Sequence, residues 1–219
     1  AEAAALLSEA KNPVILQQLN DVASEQGHDV FNVGMDGDND HRLTYIHLGI
    51  CAALLLNSKA VDFVVAGCGT GQGAMMSLNA HPGVFCGYCI EPTDAYLFAQ
   101  VNNGNALSLA FAKGYGWGAE INVRYIFEKA FSGERALGYP AERRESQAAN
   151  AGILADVKAR GDADQPVPCA SPRKSEAVSA IGKVVVKASR TVPIDARMLP
   201  LMTTSRAPTR STKVPAIGP

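Results

Sequence analysis

The stretch Val61-Asp62-Phe63-Val64-Val65-Ala66-Gly67-Cys68-Gly69-Thr70-Gly71-Gln72-Gly73 decides how the rest of the chain is read. Val61 to Ala66 is apolar but for Asp62, with Val at three positions, the pattern of a strand buried on both faces of a parallel sheet. It runs directly into four alternating glycines, and Ala74 to Leu78 then begins a helix. Strand, glycine loop and helix in that order gather free backbone N–H groups around one point, and the helix dipole adds partial positive charge there. An anionic group is expected at that point.

Outward from this segment the elements alternate. Toward the amino end, Tyr45 to Leu56 reads as a helix. Asp29 to Val33 reads as a short strand after the turn at Gln26-Gly27, and Pro13 to Ser24 as a helix capped by Asn12. Ala1 to Ala10 ought to supply the first strand, but its Ala- and Glu-rich texture is helical by intrinsic preference. Toward the carboxyl end follow a strand over Gly83 to Ile90, a helix over Pro92 to Val101, a strand over Ala106 to Ala110 and an amphipathic helix over Gly118 to Phe131. This rhythm predicts an α/β fold: a Rossmann-like three-layer αβα sandwich around a parallel sheet of about five strands. Sites in such sheets lie at the carboxyl ends of strands.

Two regions are expected, residues 1–160 as one domain and residues 161–219 as a basic, proline-rich extension, irregular and either disordered or wrapped around a partner subunit. The 219-residue chain is 47% hydrophobic and 19% charged with a formal net charge of -1, which excludes bulk attraction to nucleic acid or membrane. An odd cysteine count of 5, with no signal peptide and no membrane-length apolar run, points to a reducing, cytoplasmic setting. Cys86 and Cys89 have CxxC spacing but sit inside a strand pattern with no second pair to complete a zinc tetrad. Asp36-Gly37-Asp38-Asn39-Asp40 lacks the Gly and Glu that a calcium loop requires, and reads as a solvated turn. Trp117 and Tyr115 fit either a sugar pocket or a subunit contact.

The glycine loop has three readings. A dinucleotide site is supported by Glu91 about 20 residues on, yet the spacing is G-x-G-x-G-x-G and not GxGxxG. A purely structural turn leaves a cysteine in its middle unexplained. A catalytic loop uses that cysteine, because a thiolate is stabilised at a helix N-terminus and the neighbouring amides can hold a developing oxyanion.

The loop, together with Pro82-Gly83-Val84, Glu91-Pro92-Thr93-Asp94-Ala95 and Asn102-Asn103-Gly104-Asn105-Ala106-Leu107, resembles the RpiB/LacA/LacB sugar isomerases in order and spacing over about Asn12 to Lys158. The resemblance is to a ribose/galactose isomerase branch that is also similar to uronate ketol-isomerases. It implies a metal-free, cofactor-free aldose–ketose isomerase, usually dimeric or a dimer of dimers, with active sites shared across the interface. It places Cys68 as the base that moves a proton between C1 and C2 through a cis-enediolate, Thr70 beside the reacting carbons, and the amides of Gly69, Gly71, Gln72 and Gly73 around the enediolate oxygen. Tyr45 and His47 would face the substrate, and Asn102 and Asn105 would hydrogen-bond sugar hydroxyls, with loop capping as the alternative role of the asparagines.

Departures from the family pattern bear on the substrate. Val101 stands where the phosphate isomerases carry a ring-opening His, and Tyr139 stands where one of two phosphate-clamping arginines is expected, leaving Arg143. Losing one such charged hydrogen bond costs about 1.5–3 kcal/mol. An unphosphorylated sugar or a sugar acid of the 4-deoxy-5-hexosulose uronate type is therefore a credible alternative. A nucleotide- or sugar-binding module without catalysis is the alternative of another class.

Overall fold

The computed structural model describes residues 2–7, 12–35 and 43–164. The acidic turn at 36–40, Cys169 and the extension beyond residue 164 lie outside them.

Strands β1 (Glu2–Leu7), β2 (Asp29–Asn32), β3 (Phe63–Cys68), β4 (Cys86–Cys89) and β5 (Ala106–Ala110) form one parallel sheet in the order β2-β1-β3-β5-β4. Helices α1 (Asn12–Glu25), α2 (Tyr45–Asn57), α3 (Gln72–Asn79), α4 (Pro92–Leu97) and α5 (Ala119–Ala130) connect the strands, and α6 (Arg144–Asp164) follows. The expected α/β sandwich and its strand number are present. Helix α6 runs through the expected 160/161 boundary to the last described residue.

The side chains of β3 explain the layers. Val64 and Ala66 enter a core with Leu48, Leu55, Ala74 and Leu78 of α2 and α3. Phe63 and Val65 enter a second core with Ile15, Leu19, Ile126 and Phe127 of α1 and α5. A strand's period of two sends alternate residues to opposite faces, so a strand buried on both must be apolar throughout.

The first strand expected within Ala1 to Ala10 is present against its local texture, and three readings of bounds need correction. Residues 2–7, helical by composition, form a strand that pairs with β2 through Glu2↔Asp29 and Ala5↔Asn32 and with β3 through Ala3↔Phe63 and Leu7↔Gly67. Hydrogen bonding on both edges overrides the helix preference of Ala and Glu, worth only tenths of a kcal/mol per residue (about 0.7 at most). Strand β3 extends past Ala66 to include Cys68. Strand β4 is shorter than Gly83 to Ile90, because Asn105 ties Gly83 and Phe85 into a loop ahead of it. The helix over Pro92 to Val101 becomes a π-helical segment from Phe98 to Asn102, ending on Asn103 in the left-handed region at φ 49°.

Order β2-β1-β3-β5-β4 places a topological switch between β1 and β3, since the chain leaves β1 toward one edge and β3 toward the other. Open α/β sheets bind ligands outside the carboxyl ends of strands at such a switch. Cys68 is the last residue of β3 and stands at that position.

Candidate active site

Cys68 continues the Val64, Ala66 alternation and packs against the α2–α3 core, on the face where α3 begins. It is partly exposed, whereas Cys51, Cys86 and Cys89 are buried. Burial pushes the Cys51 and Cys89 thiols up to about 12, Asp94 adding to the second, and raises Cys86 as well, with Cys89 beside it adding and Lys158 opposing. Cys86 and Cys89 enter opposite cores, so their CxxC spacing brings no pair of thiols together.

The loop after Cys68 is braced from β5. The Cys68 carbonyl accepts from the amides of Gly71 and Phe111 at 3.2 and 3.0 Å, and the Gly69 carbonyl from Ala112 and Lys113 at 3.0 and 2.9 Å. The buried Ser108 hydroxyl donates to the Gly71 carbonyl at 2.6 Å. Gly71 has φ +73° and caps α3; a Cβ there would stand 2.6 Å from the Tyr88 ring and 2.8 Å from the Leu109 backbone, so glycine is required. Gly67 is equally confined, by Phe111 and the Leu109 carbonyl. The first turn of α3 has amides without intrahelical partners, and Thr70 and Gln72 are exposed beside them. A helix N-terminus presenting amides beside a thiol can stabilise a thiolate and an oxyanion together.

Tyr45 joins this group. A Cβ on Gly73 would lie 3.1 Å from Tyr45 Cγ, so the phenol ring rests on the opening turn of α3. His47 sits at the start of α2, where its Nδ1 accepts from the Thr44 amide at 2.9 Å and lies 3.0 Å from Thr44 Oγ1. An accepting Nδ1 places the ring proton of neutral imidazole on Nε2. His47 is thus at least a helix-capping residue.

The remaining expected residues lie elsewhere. In the register Val64↔Ala106 and Cys68↔Ala110, the segment of Asn102 and Asn105 precedes β5 at the amino ends of the strands. The length of β5, roughly 13 Å at 3.3 Å per residue, separates it from Cys68. Asn102 is exposed. Asn105 has both ends of its amide engaged, accepting from the Phe85 amide at 2.8 Å and donating to the Gly83 carbonyl at 2.8 Å, the capping role left open for it by the sequence. Arg143 is exposed in the short 3-10 turn Ala141–Arg143 that leads into α6, which packs on the π-helical segment. Tyr139 is held there by Gln147, which bonds both its amide and its carbonyl, and its ring meets Tyr96 edge-on. One chain therefore presents two groups at opposite ends of the sheet.

One feature was not foreseen. Lys113, fastened by its amide to Gly69, lines a 190 Å³ cavity at the carboxyl ends of β4 and β5 with Tyr88 and Tyr115. Its only sequence cue is its place before the glycine-rich run to Gly118. Trp117 is fully exposed and lines no described pocket. Glu91, the acid of the dinucleotide reading, is the N-cap of α4, where Asp94 accepts from the Ile90 and Glu91 amides. Among the described residues no helix is long and apolar enough to cross a membrane, and no cluster of three or more His, Cys, Asp or Glu is placed to hold a metal.

Comparison with known proteins bears on this arrangement. Residues 6–137 match the family described as Ribose/Galactose Isomerase. A ribose-5-phosphate isomerase from Vibrio parahaemolyticus is 59% identical with a TM-score of 0.72, over 85% of this chain and 86% of that one. A 4-deoxy-L-threo-5-hexosulose-uronate ketol-isomerase solved with a tartrate is 42% identical with a TM-score of 0.71, again over 85% and 86%. A ribose-5-phosphate isomerase B from Clostridium thermocellum, at 18% identity and TM-score 0.60, shares the fold over 73% of this chain and 99% of its own. No curated protein sequence matches the chain. With the glycine loop, the switch-point cysteine and the match over residues 6–137 in agreement, the chain belongs to the ribose/galactose isomerase family and is a sugar isomerase.

Proposed function

We propose that the chain interconverts an aldose and its ketose with Cys68 as the base. The observation that carries this is the position of Cys68: last residue of β3, at the switch point, partly exposed, and on the face where the amides of α3 begin. The thiolate removes the proton from C2 of the opened aldose, and the electron pair forms the C1–C2 double bond of a cis-enediolate as negative charge moves to O1. The amides of Gly69, Gln72 and Gly73 face that charge, with Thr70 as the polar neighbour, while the Gly71 amide, expected among them, is spent on the Cys68 carbonyl. Proton transfer between the two oxygens and return of the carbon-bound proton from the thiol to C1 give the ketose. Tyr45 packs at the site's edge, and His47 stands beside it at the start of α2.

Asn102 and Arg143 reach this site from a second copy of the chain. Their place at the far end of the sheet supports a shared site, because a sugar cannot bridge the length of β5 within one protomer.

The substrate is an anionic open-chain sugar. The 59% identical relative supports a sugar phosphate. Tyr139, in the turn where a second arginine is expected, and the 42% identical relative favour a sugar acid as the second reading. The test is turnover of D-ribose 5-phosphate and of 4-deoxy-L-threo-5-hexosulose uronate by the wild type and by Cys68→Ala. Loss of about 10²–10⁴-fold in kcat with an unchanged melting temperature is expected for Cys68→Ala. Retained turnover would remove Cys68 from the mechanism, and the ratio of kcat/KM values separates the substrates.

A further inference from the structure

Asn102 is exposed, yet the backbone on both of its sides is fastened to one loop. Ahead of it, Gln100 is 4% exposed, one of only two polar residues among those described as buried. Its side chain donates to the Glu134 carbonyl at 3.1 Å and accepts from the Leu137 amide at 3.1 Å. Two backbone bonds run alongside, from the Ala136 amide to the Ala99 carbonyl and from the Gly138 amide to the Gln100 carbonyl, each 3.1 Å. Behind Asn102, Arg135 donates to the Gly104 carbonyl at 2.6 Å and to Asn103 Oδ1 at 3.4 Å, its guanidinium resting 5.0 Å from the centre of the Phe63 ring. The loop accepts an unfavourable conformation to do this, with Ala136 at φ 58°. It leads at once into Tyr139 and the turn that bears Arg143.

A buried amide that spends both its donated and its accepted bond on one surface loop is a costly way to pack a helix, since an apolar side chain of the same size needs no partners. It is an economical way to hold two segments in fixed relation. A π-helical turn, which is rare and concentrated at functional sites, places Gln100 and Asn102 in this register.

We propose that Gln100 is a positioning residue: it locks the 134–138 loop to the π-helical segment, so that Asn102, Tyr139 and Arg143 meet the substrate as one rigid unit. This rests on the reading that these residues bind the sugar. Gln100 touches no substrate itself. Its loss lets the unit shift, which weakens binding of ground state and transition state alike and leaves the chemistry at Cys68 intact.

The experiment is steady-state kinetics of Gln100→Met beside Cys68→Ala, with D-ribose 5-phosphate and 4-deoxy-L-threo-5-hexosulose uronate as the probes. Gln100→Met is expected to raise KM roughly tenfold while kcat stays within about twofold of wild type. An unchanged KM, or a fall in kcat that matches the fall in kcat/KM, overturns the proposal. Arg135→Lys, which shortens the second latch without removing charge, is expected to give the same split and serves if Gln100→Met does not fold; normal KM there is equally fatal. Should Cys68→Ala keep its turnover, the reading of Cys68 as the base fails on its own, independently of the Gln100 result.

Discussion

The Ser108 hydroxyl donates to the Gly71 carbonyl at 2.6 Å in the buried interior, so β5 holds the residue that ends the cysteine loop and opens α3. Gly71 also accepts from the Met75 amide at 3.0 Å, which leaves its carbonyl satisfied if the hydroxyl is lost. Ser108→Ala should therefore cost only about 1 kcal/mol in urea denaturation. Gly71→Ala should cost at least about 2 kcal/mol and remove most turnover, because a left-handed alanine is strained and its Cβ strikes the Leu109 backbone.

Thiol labelling should discriminate among the cysteines. Cys68 is the partly exposed one among the described residues, while burial keeps Cys51, Cys86 and Cys89 covered and protonated near neutral pH. Iodoacetamide on the folded protein should modify Cys68 first, with loss of activity in proportion, as read by peptide mass spectrometry. Modification of Cys51 at a comparable rate would contradict the packing.

The same buried thiols make the fold sensitive to alkali. In the unfolded chain a thiol titrates near 8.5, whereas in the fold Cys51 and Cys89 are raised to about 12 and Cys86 is raised too. The protonated form is the one the fold favours, so this stability is complete below about pH 8.5 and is lost as pH rises toward the folded values. Each thiol contributes a decline of about 1.4 kcal/mol per pH unit in that window. Cys51→Ala should make urea stability between pH 9 and 10.5 visibly less steep than in the wild type; an identical slope would argue against burial as the cause.

The two asparagines should separate by readout. Asn105→Ala leaves the partly buried Phe85 amide without its partner while the exposed Gly83 carbonyl turns to water, and is expected to lower stability by about 1–2 kcal/mol. Asn102→Ala, at an exposed position, should leave stability within about 0.5 kcal/mol and raise KM. A melting temperature that falls equally in both would place Asn102 in the framework as well.

Most of the fold could be read from apolar runs and punctuation. The run before Gly67 is apolar because it faces two cores, and Pro92 with Asp94 marks the start of α4 because those residues satisfy helix N-terminal needs. What escaped was non-local. Residues 2–7 are a strand through pairing with β2 and β3, which no local preference encodes. The π-helical turn depends on a loop more than 30 residues later, and α6 carries mixed, weakly patterned side chains.

By itself the sequence determined the αβ alternation and the glycine loop with a cysteine in its middle, because periodicity, glycine and a thiol are properties of residues near one another in the chain. Only the tertiary structure decided where that cysteine sits relative to the other expected residues. Strand order put Cys68 at the switch point, and the register of β5 put the segment of Asn102 at the opposite end of the sheet, where the loop leading to Arg143 is fastened. Those are distances between segments far apart in sequence, fixed by sheet pairing and by the buried Gln100, and no local pattern contains them.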